Sequence, residues 1–156
     1  MYYYCMYEDL SKTIESELAQ QDVVVVAISG HGGSGKSTLV DKLAQEFGVA
    51  ENQVVRVDGS HAKNHLQAKG LFELFCWPAI MDLLKHVHAR DRLRHTRRDD
   101  KEVESVVDVA RPPLVIFEGI RPIRPEMLPF VDESIWIDCP NRCCNSTRKE
   151  AKSGAG

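Results

Sequence analysis

Residues 22–38 read DVVVVAISGHGGSGKST. The first eight are too uniformly apolar for a sheet with one wet face; a continuous Val/Ile run suits a parallel strand covered on both sides. Four glycines, a lysine and three hydroxyls follow at once. Gly30, Gly35, Lys36 and Ser37 fit the spacing G-x-x-x-x-G-K-[ST], and each residue type has a physical task there. Successive backbone amides in a tight loop make an anion cradle, and glycine permits positive φ and close approach. The helix that follows adds its free N-terminal amides and the positive end of its dipole. Lys36 brings a compact charge for β- and γ-phosphates, and Ser37 a hydroxyl for Mg²⁺. Gly30, His31, Gly32, Gly33, Ser34, Gly35, Lys36, Ser37 and Thr38 are therefore read as an oligophosphate loop. At ordinary residue frequencies the four-position match arises by chance in roughly one chain in two hundred of this length, and here a strand precedes it and a helix pattern follows.

Working outward, residues 36–47 carry a helical stripe of Leu39, Leu43 and Phe47, with Val40 and Ala44 beside it and Gly48 as a stop. Upstream, Leu10, Ile14 and Leu18 predict a helix over about 8–20. Downstream, QVVRVD (53–58), PLVIFEG (113–119) and SIWID (134–138) predict three more strands, and Pro78 opens a predicted helix to about residue 88. Residues 89–111 read as highly charged and irregular, with a short strand at VESVVDV. Strands alternating with helices indicate an α/β fold with a mainly parallel sheet. In such sheets ligands bind beyond the C-terminal strand ends. Two acids fall at such ends, Asp58 and Glu118. A carboxylate there can hold Mg²⁺ directly or through water, or accept a proton from a substrate hydroxyl. With the glycine loop they form a phosphoryl-transfer set.

The chain has 156 residues, about one domain on a prior of roughly 150 residues each. Its net charge of -3 gives no basic field for nucleic acid. No stretch of about 18 apolar residues exists to span a membrane, and MYYYCMYEDL has neither the basic start nor the apolar run of a signal peptide. A cytoplasmic location is expected. The five cysteines form no Cys-x-x-Cys pair, so neither a zinc site nor a disulfide framework is indicated, and Cys139, Cys143 and Cys144 read as small apolar residues near a strand end. All four tyrosines lie in the first seven residues, which suggests an N-terminal strap or an oligomer contact.

At this point the sequence resembles the uridine kinase and phosphoribulokinase group of P-loop small-molecule kinases. The resemblance is carried by AISGHGGSGKST (27–38), VDG (57–59), HTR (95–97), LVIFEGI (114–120) and IWIDCP (135–140). It implies a three-layer P-loop NTPase fold over the whole chain, with an N-terminal helix and strap in 1–21 and a lid remnant or flexible tail in 141–156. It implies an ATP- and Mg²⁺-dependent kinase with Lys36 and Asp58 as catalytic residues. Ser37, Asp58 and Glu118 would hold the metal, with Asp58 also the base. His95 and Arg97 correspond to a segment that contacts a nucleoside base or sugar, and Arg142 and Arg148 to lid arginines. Three departures stand out. Gly59, Ser60 and His61 replace an aromatic pair after Asp58, which is closer to relatives acting on pantothenate or sugar phosphates. The tyrosines of a nucleoside pocket are missing, with Phe72, Phe75 or Trp77 as substitutes. The chain stops where a full lid would begin, so the expectation is either a short or absent lid or a fragment of a longer chain.

Lys85, Arg90, Arg92, Arg94, Arg97 and Arg98 crowd together with His86, His88 and His95, followed by acids from Asp99 to Asp108. They read either as an anion site for a phosphorylated or acidic acceptor or as a solvated, locally neutralised charged loop. The expected activity is phosphorylation of a small-molecule hydroxyl, first of a nucleoside, then of pantothenate or a sugar phosphate. The alternative is a nucleotide-binding module that acts through a protein partner.

Overall fold

The structure is a computed structural model that describes residues 7–57, 77–98, 103–119 and 124–138. The readings placed on Asp58, Arg142, Arg148, the N-terminal strap and the tail lie outside the described residues.

Helix α1 (Tyr7–Leu18) leads into strand β1 (Val24–Gly30), the glycine loop and helix α2 (Lys36–Phe47). A 3-10 turn (Glu51–Gln53) and the two-residue strand β2 (Val55–Arg56) follow. Helix α3 (Trp77–His86) precedes strands β3 (Arg92–Arg98), β4 (Glu104–Ala110), β5 (Leu114–Gly119) and β6 (Glu133–Ile137). The main sheet has the order β2-β5-β1-β6 with all pairings parallel.

Alternation along the strands divides the core into two layers. Val24, Val26 and Ile28 of β1 and Leu114 and Ile116 of β5 face Leu10 and Ile14 of α1 and Val40 and Leu43 of α2. Val25, Ala27, Val115 and Phe117 face Ile80, Leu83 and Leu84 of α3 and Leu93 of β3. Every residue of β1 and of β5 is buried, as the uniformly apolar sequence of β1 requires of a strand covered on both sides. Each such aliphatic side chain contributes about 1.5–3 kcal/mol of transfer free energy. The three-layer α/β architecture is the one the sequence predicts.

Two segments differ from expectation. Among the described residues 53–57 of the predicted strand 53–58, the strand is confined to Val55 and Arg56, because Gln53 is used in a turn. Its amide donates to the Ala50 carbonyl and its side-chain oxygen accepts from the Ala50 amide at 2.8 Å. The charged region 89–111 is an antiparallel hairpin of its own, β3 with β4, and only the second strand was foreseen. RLRHTRR hides its strand character because Leu93 is its sole aliphatic residue; the inward positions are Leu93 and His95, both buried.

The hairpin rests on the 3-10 turn. His95 Nε2 donates to the Asn52 carbonyl (2.9 Å), Gln53 Nε2 to the Ala110 carbonyl (2.8 Å) and Arg97 Nη2 to Glu51 Oε1 (3.2 Å). Arg111 closes its open end, bonding the carbonyls of Val87 (2.7 Å) and His88 (3.1 Å). At the other end of the main sheet, the Asp132 carboxylate accepts from the Val25 amide at 2.7 Å and ties the start of β6 to β1. None of the described helices is long and apolar enough to cross a membrane.

Candidate active site

The glycine loop leaves the C-terminal end of β1, where the sheet topology places a ligand crevice. Gly33 (φ 77°) and Gly35 (φ 93°) adopt left-handed backbone that other residues rarely take. Gly30 is required by crowding: a Cβ there would lie 2.7 Å from the Ile137 carbonyl oxygen and 2.8 Å from Ser34 Oγ. Gly35 is the N-cap of α2 and supplies no side-chain cap. The first amides of the helix are therefore left to whatever the loop holds. Ser34 Oγ is buried and has no hydrogen-bond partner.

Lys36 is buried, 7% exposed, although it carries a charge. Its Nζ donates to the carbonyls of Gly30 (2.9 Å) and His31 (2.7 Å), which fixes the ammonium across the first turn of the loop. Ser37 and Thr38 are exposed in the first turn of α2. His31 is exposed and meets the Trp136 ring of β6 edge-on, with centroids 5.6 Å apart.

Glu118 sits on β5 opposite Ile28 of β1 and Arg56 of β2. It continues the alternation of Leu114 and Ile116, so its side chain emerges on the sheet face that α2 covers, the face on which Lys36 begins the helix. Glu118 is buried, and its Oε2 accepts from Arg56 Nη1 at 3.1 Å. Arg56 also grips Glu51: Nε and Nη2 reach Oε1 at 3.3 and 3.1 Å, and Nη2 reaches Oε2 at 3.3 Å. The sequence analysis overlooked Arg56 and Glu51. The available signal was a lone charge inside VVRVD, a strand otherwise apolar up to its acid.

The structure thus brings Gly30–Thr38 and Glu118 together at neighbouring strand ends. His95 and Arg97 lie on the hairpin. The His95 ring is turned under it against Asn52, and burial holds its imidazole below the usual pKa and so neutral. Its Nδ1 is buried without a hydrogen-bond partner. Arg97 is paired with Glu51. Of the other basic residues of this region, Arg90 and His86 meet Asp82 at 3.2 and 3.1 Å, and Arg92 meets Asp108 at 2.7 Å.

These residues fit a nucleoside triphosphate with a divalent cation. The loop offers amides, an ammonium and a buried orphan hydroxyl to an anion, and Glu118 and Ser37 offer oxygen to a hard cation. Among the described residues no group of three His, Cys, Asp or Glu side chains could hold a metal by itself. A cation at Glu118 would therefore take much of its shell from phosphate oxygens and water, as Mg²⁺ commonly does.

A three-layer parallel sheet with this loop at the end of β1 is the fold of the P-loop kinases. Two solved structures share it over most of their length. One is a possible uridine kinase from Bacillus stearothermophilus, at 19% identity and a TM-score of 0.62, with 94% of this chain and 93% of that one covered. The other is a candidate fructose transport system kinase from Silicibacter sp. TM1040, at 23% identity and a TM-score of 0.70, covering 94% and 84%. No protein-family model matches the chain, and no curated protein matches it by sequence.

Proposed function

We propose that this protein is an ATP- and Mg²⁺-dependent phosphotransferase that phosphorylates a hydroxyl of a small molecule. The observation that carries the reading is the pairing of a pinned, buried Lys36 in a glycine loop with a buried carboxylate, Glu118, on the adjacent strand. Phosphoryl transfer is mainly positioning and charge neutralisation. The loop amides and Lys36 orient the β- and γ-phosphates and offset their charge. Ser37, Asp58 and Glu118 would hold Mg²⁺, which would supply charge neutralisation to the phosphates. Asp58 takes the proton from the acceptor hydroxyl as its oxygen bonds to phosphorus and the terminal phosphoanhydride bond breaks.

A nucleoside is the leading acceptor, supported by the motif resemblance and by the uridine kinase neighbour. A sugar-type acceptor or pantothenate is second, supported by the Asp58–Gly59 pair and the fructose transport kinase neighbour. A coupled ADP-release assay over nucleosides, pantothenate, sugars and sugar phosphates tests the reading. Turnover that requires one acceptor is expected, with Asp58→Asn retaining ATP binding and losing transfer. ATP binding with no acceptor-dependent turnover would replace the kinase by a nucleotide-controlled binding module. Equal activity in Asp58→Asn and the parent would remove the base assignment.

A further inference from the structure

We infer that Arg56 is a positioning residue that competes with the bound cation for Glu118, and that Glu51 is the alternative partner that draws it away. This rests on the reading of Glu118 as a cation ligand. The guanidinium spans two carboxylates of different character. Towards Glu118 it gives one hydrogen bond, Nη1 to Oε2 at 3.1 Å, to a side chain only 9% exposed. Towards Glu51 it gives the Nε–Nη2 edge, to a side chain 57% exposed. The first contact is single but poorly screened; the second is two-pronged but bathed in water.

A divalent cation on Glu118 places two positive charges beside the guanidinium. The Nη1 contact is the one that must yield, since Nε and Nη2 can stay on Glu51. Arg56 is thus tethered next to the cation position without blocking it. Until a cation arrives, it satisfies a buried carboxylate that would otherwise be unpaired, an arrangement that costs stability. Glu51 is in turn shared: Arg97 of β3 reaches the same Oε1 at 3.2 Å. The cation position is therefore linked through Glu118, Arg56, Glu51 and Arg97 to the hairpin. Whatever draws Arg97 away from Glu51 strengthens the hold of Glu51 on Arg56 and eases cation entry.

The two exchange partners predict effects of opposite sign. Mn²⁺ is titrated into the full chain with saturating ADP, and bound metal is read by electron paramagnetic resonance. Removing the competitor with Arg56→Gln should tighten Mn²⁺ binding about three- to tenfold. Removing the alternative partner with Glu51→Gln leaves Arg56 only Glu118, and should weaken binding by a similar factor. Glu118→Gln should lose most of the affinity. Unchanged or weaker binding in Arg56→Gln, or unchanged or tighter binding in Glu51→Gln, overturns the exchange while Glu118 remains a ligand. Wild-type affinity in Glu118→Gln instead overturns the cation reading of Glu118 itself. A purely structural role for Arg56 would lower thermal stability and leave the metal titration where it was.

Discussion

In the main sheet every residue of β1 and β5 is buried, whereas along β4 none is, and Val106 stands 61% exposed. The parallel sheet is held by dispersion and burial between two helical layers. The hairpin reaches the core through Leu93 of β3 and is otherwise held at its edges, by cross-strand charges such as Arg92–Asp108 and by bonds from His95, Gln53 and Arg97 to or from the 3-10 turn. Charge follows the same division. Beside the glycine loop, Lys36 and Glu118 are buried and individually held. On the hairpin charged side chains are numerous and largely exposed, with Arg92 paired to Asp108 and Arg97 to Glu51. A buried charge must be compensated to exist, whereas an exposed pair in water contributes little to stability.

The sharpest break of this comparison is a pair of truncations, one in the core and one on the exposed hairpin strand. Phe117→Ala, at a fully buried position of β5, should lower unfolding free energy by about 3–5 kcal/mol. Val106→Ala on the hairpin should stay within about 0.5 kcal/mol. Urea denaturation of both variants checks this, and similar losses would mean that β4 is packed as tightly as β5. Next in size, Lys36→Ala should reduce ATP turnover roughly 100- to 1000-fold, the scale expected for one preorganised charge-stabilising group. Its circular dichroism spectrum should be unchanged.

A third comparison uses a charge that is buried among its own kind. Glu17 of α1 has its carboxyl pushed up to about 7, first by burial and then by Glu133 and Asp132. The folded state therefore binds a proton that the unfolded chain has already released above about pH 4.5. The stabilisation is complete below that pH and is lost as pH rises through about 7. Glu17→Gln should raise the melting temperature at pH 8 and have little effect at pH 4.5; thermal melts at the two pH values measure the difference. The smallest effect is expected at the hairpin edge. Arg92→Ala should cost about 0.2–1 kcal/mol at low salt, and the difference from the parent should shrink when the denaturation is repeated in concentrated salt.

The layers and the loop were legible because their signals are local. Valine after valine can only be a strand covered on both sides, and the stripes of α1 and α2 repeat at the helical period. His95 was singled out through HTR, but that it lies under the hairpin against Asn52 could not be read from three letters. Arg56 shows the same limit from the other side: nothing near it in VVRVD names its partners.

What the sequence determined by itself is the glycine loop and the α/β layering, since both arise among residues a few positions apart, where backbone conformation and periodicity are set. What only the tertiary structure decided is who compensates each charge. Arg56 meets Glu118 across 62 positions, and Arg97 meets Glu51 across 46. Those meetings depend on strand register and on where the hairpin docks. Both are fixed by the packing of the whole sheet, which puts residues distant in sequence within hydrogen-bonding reach.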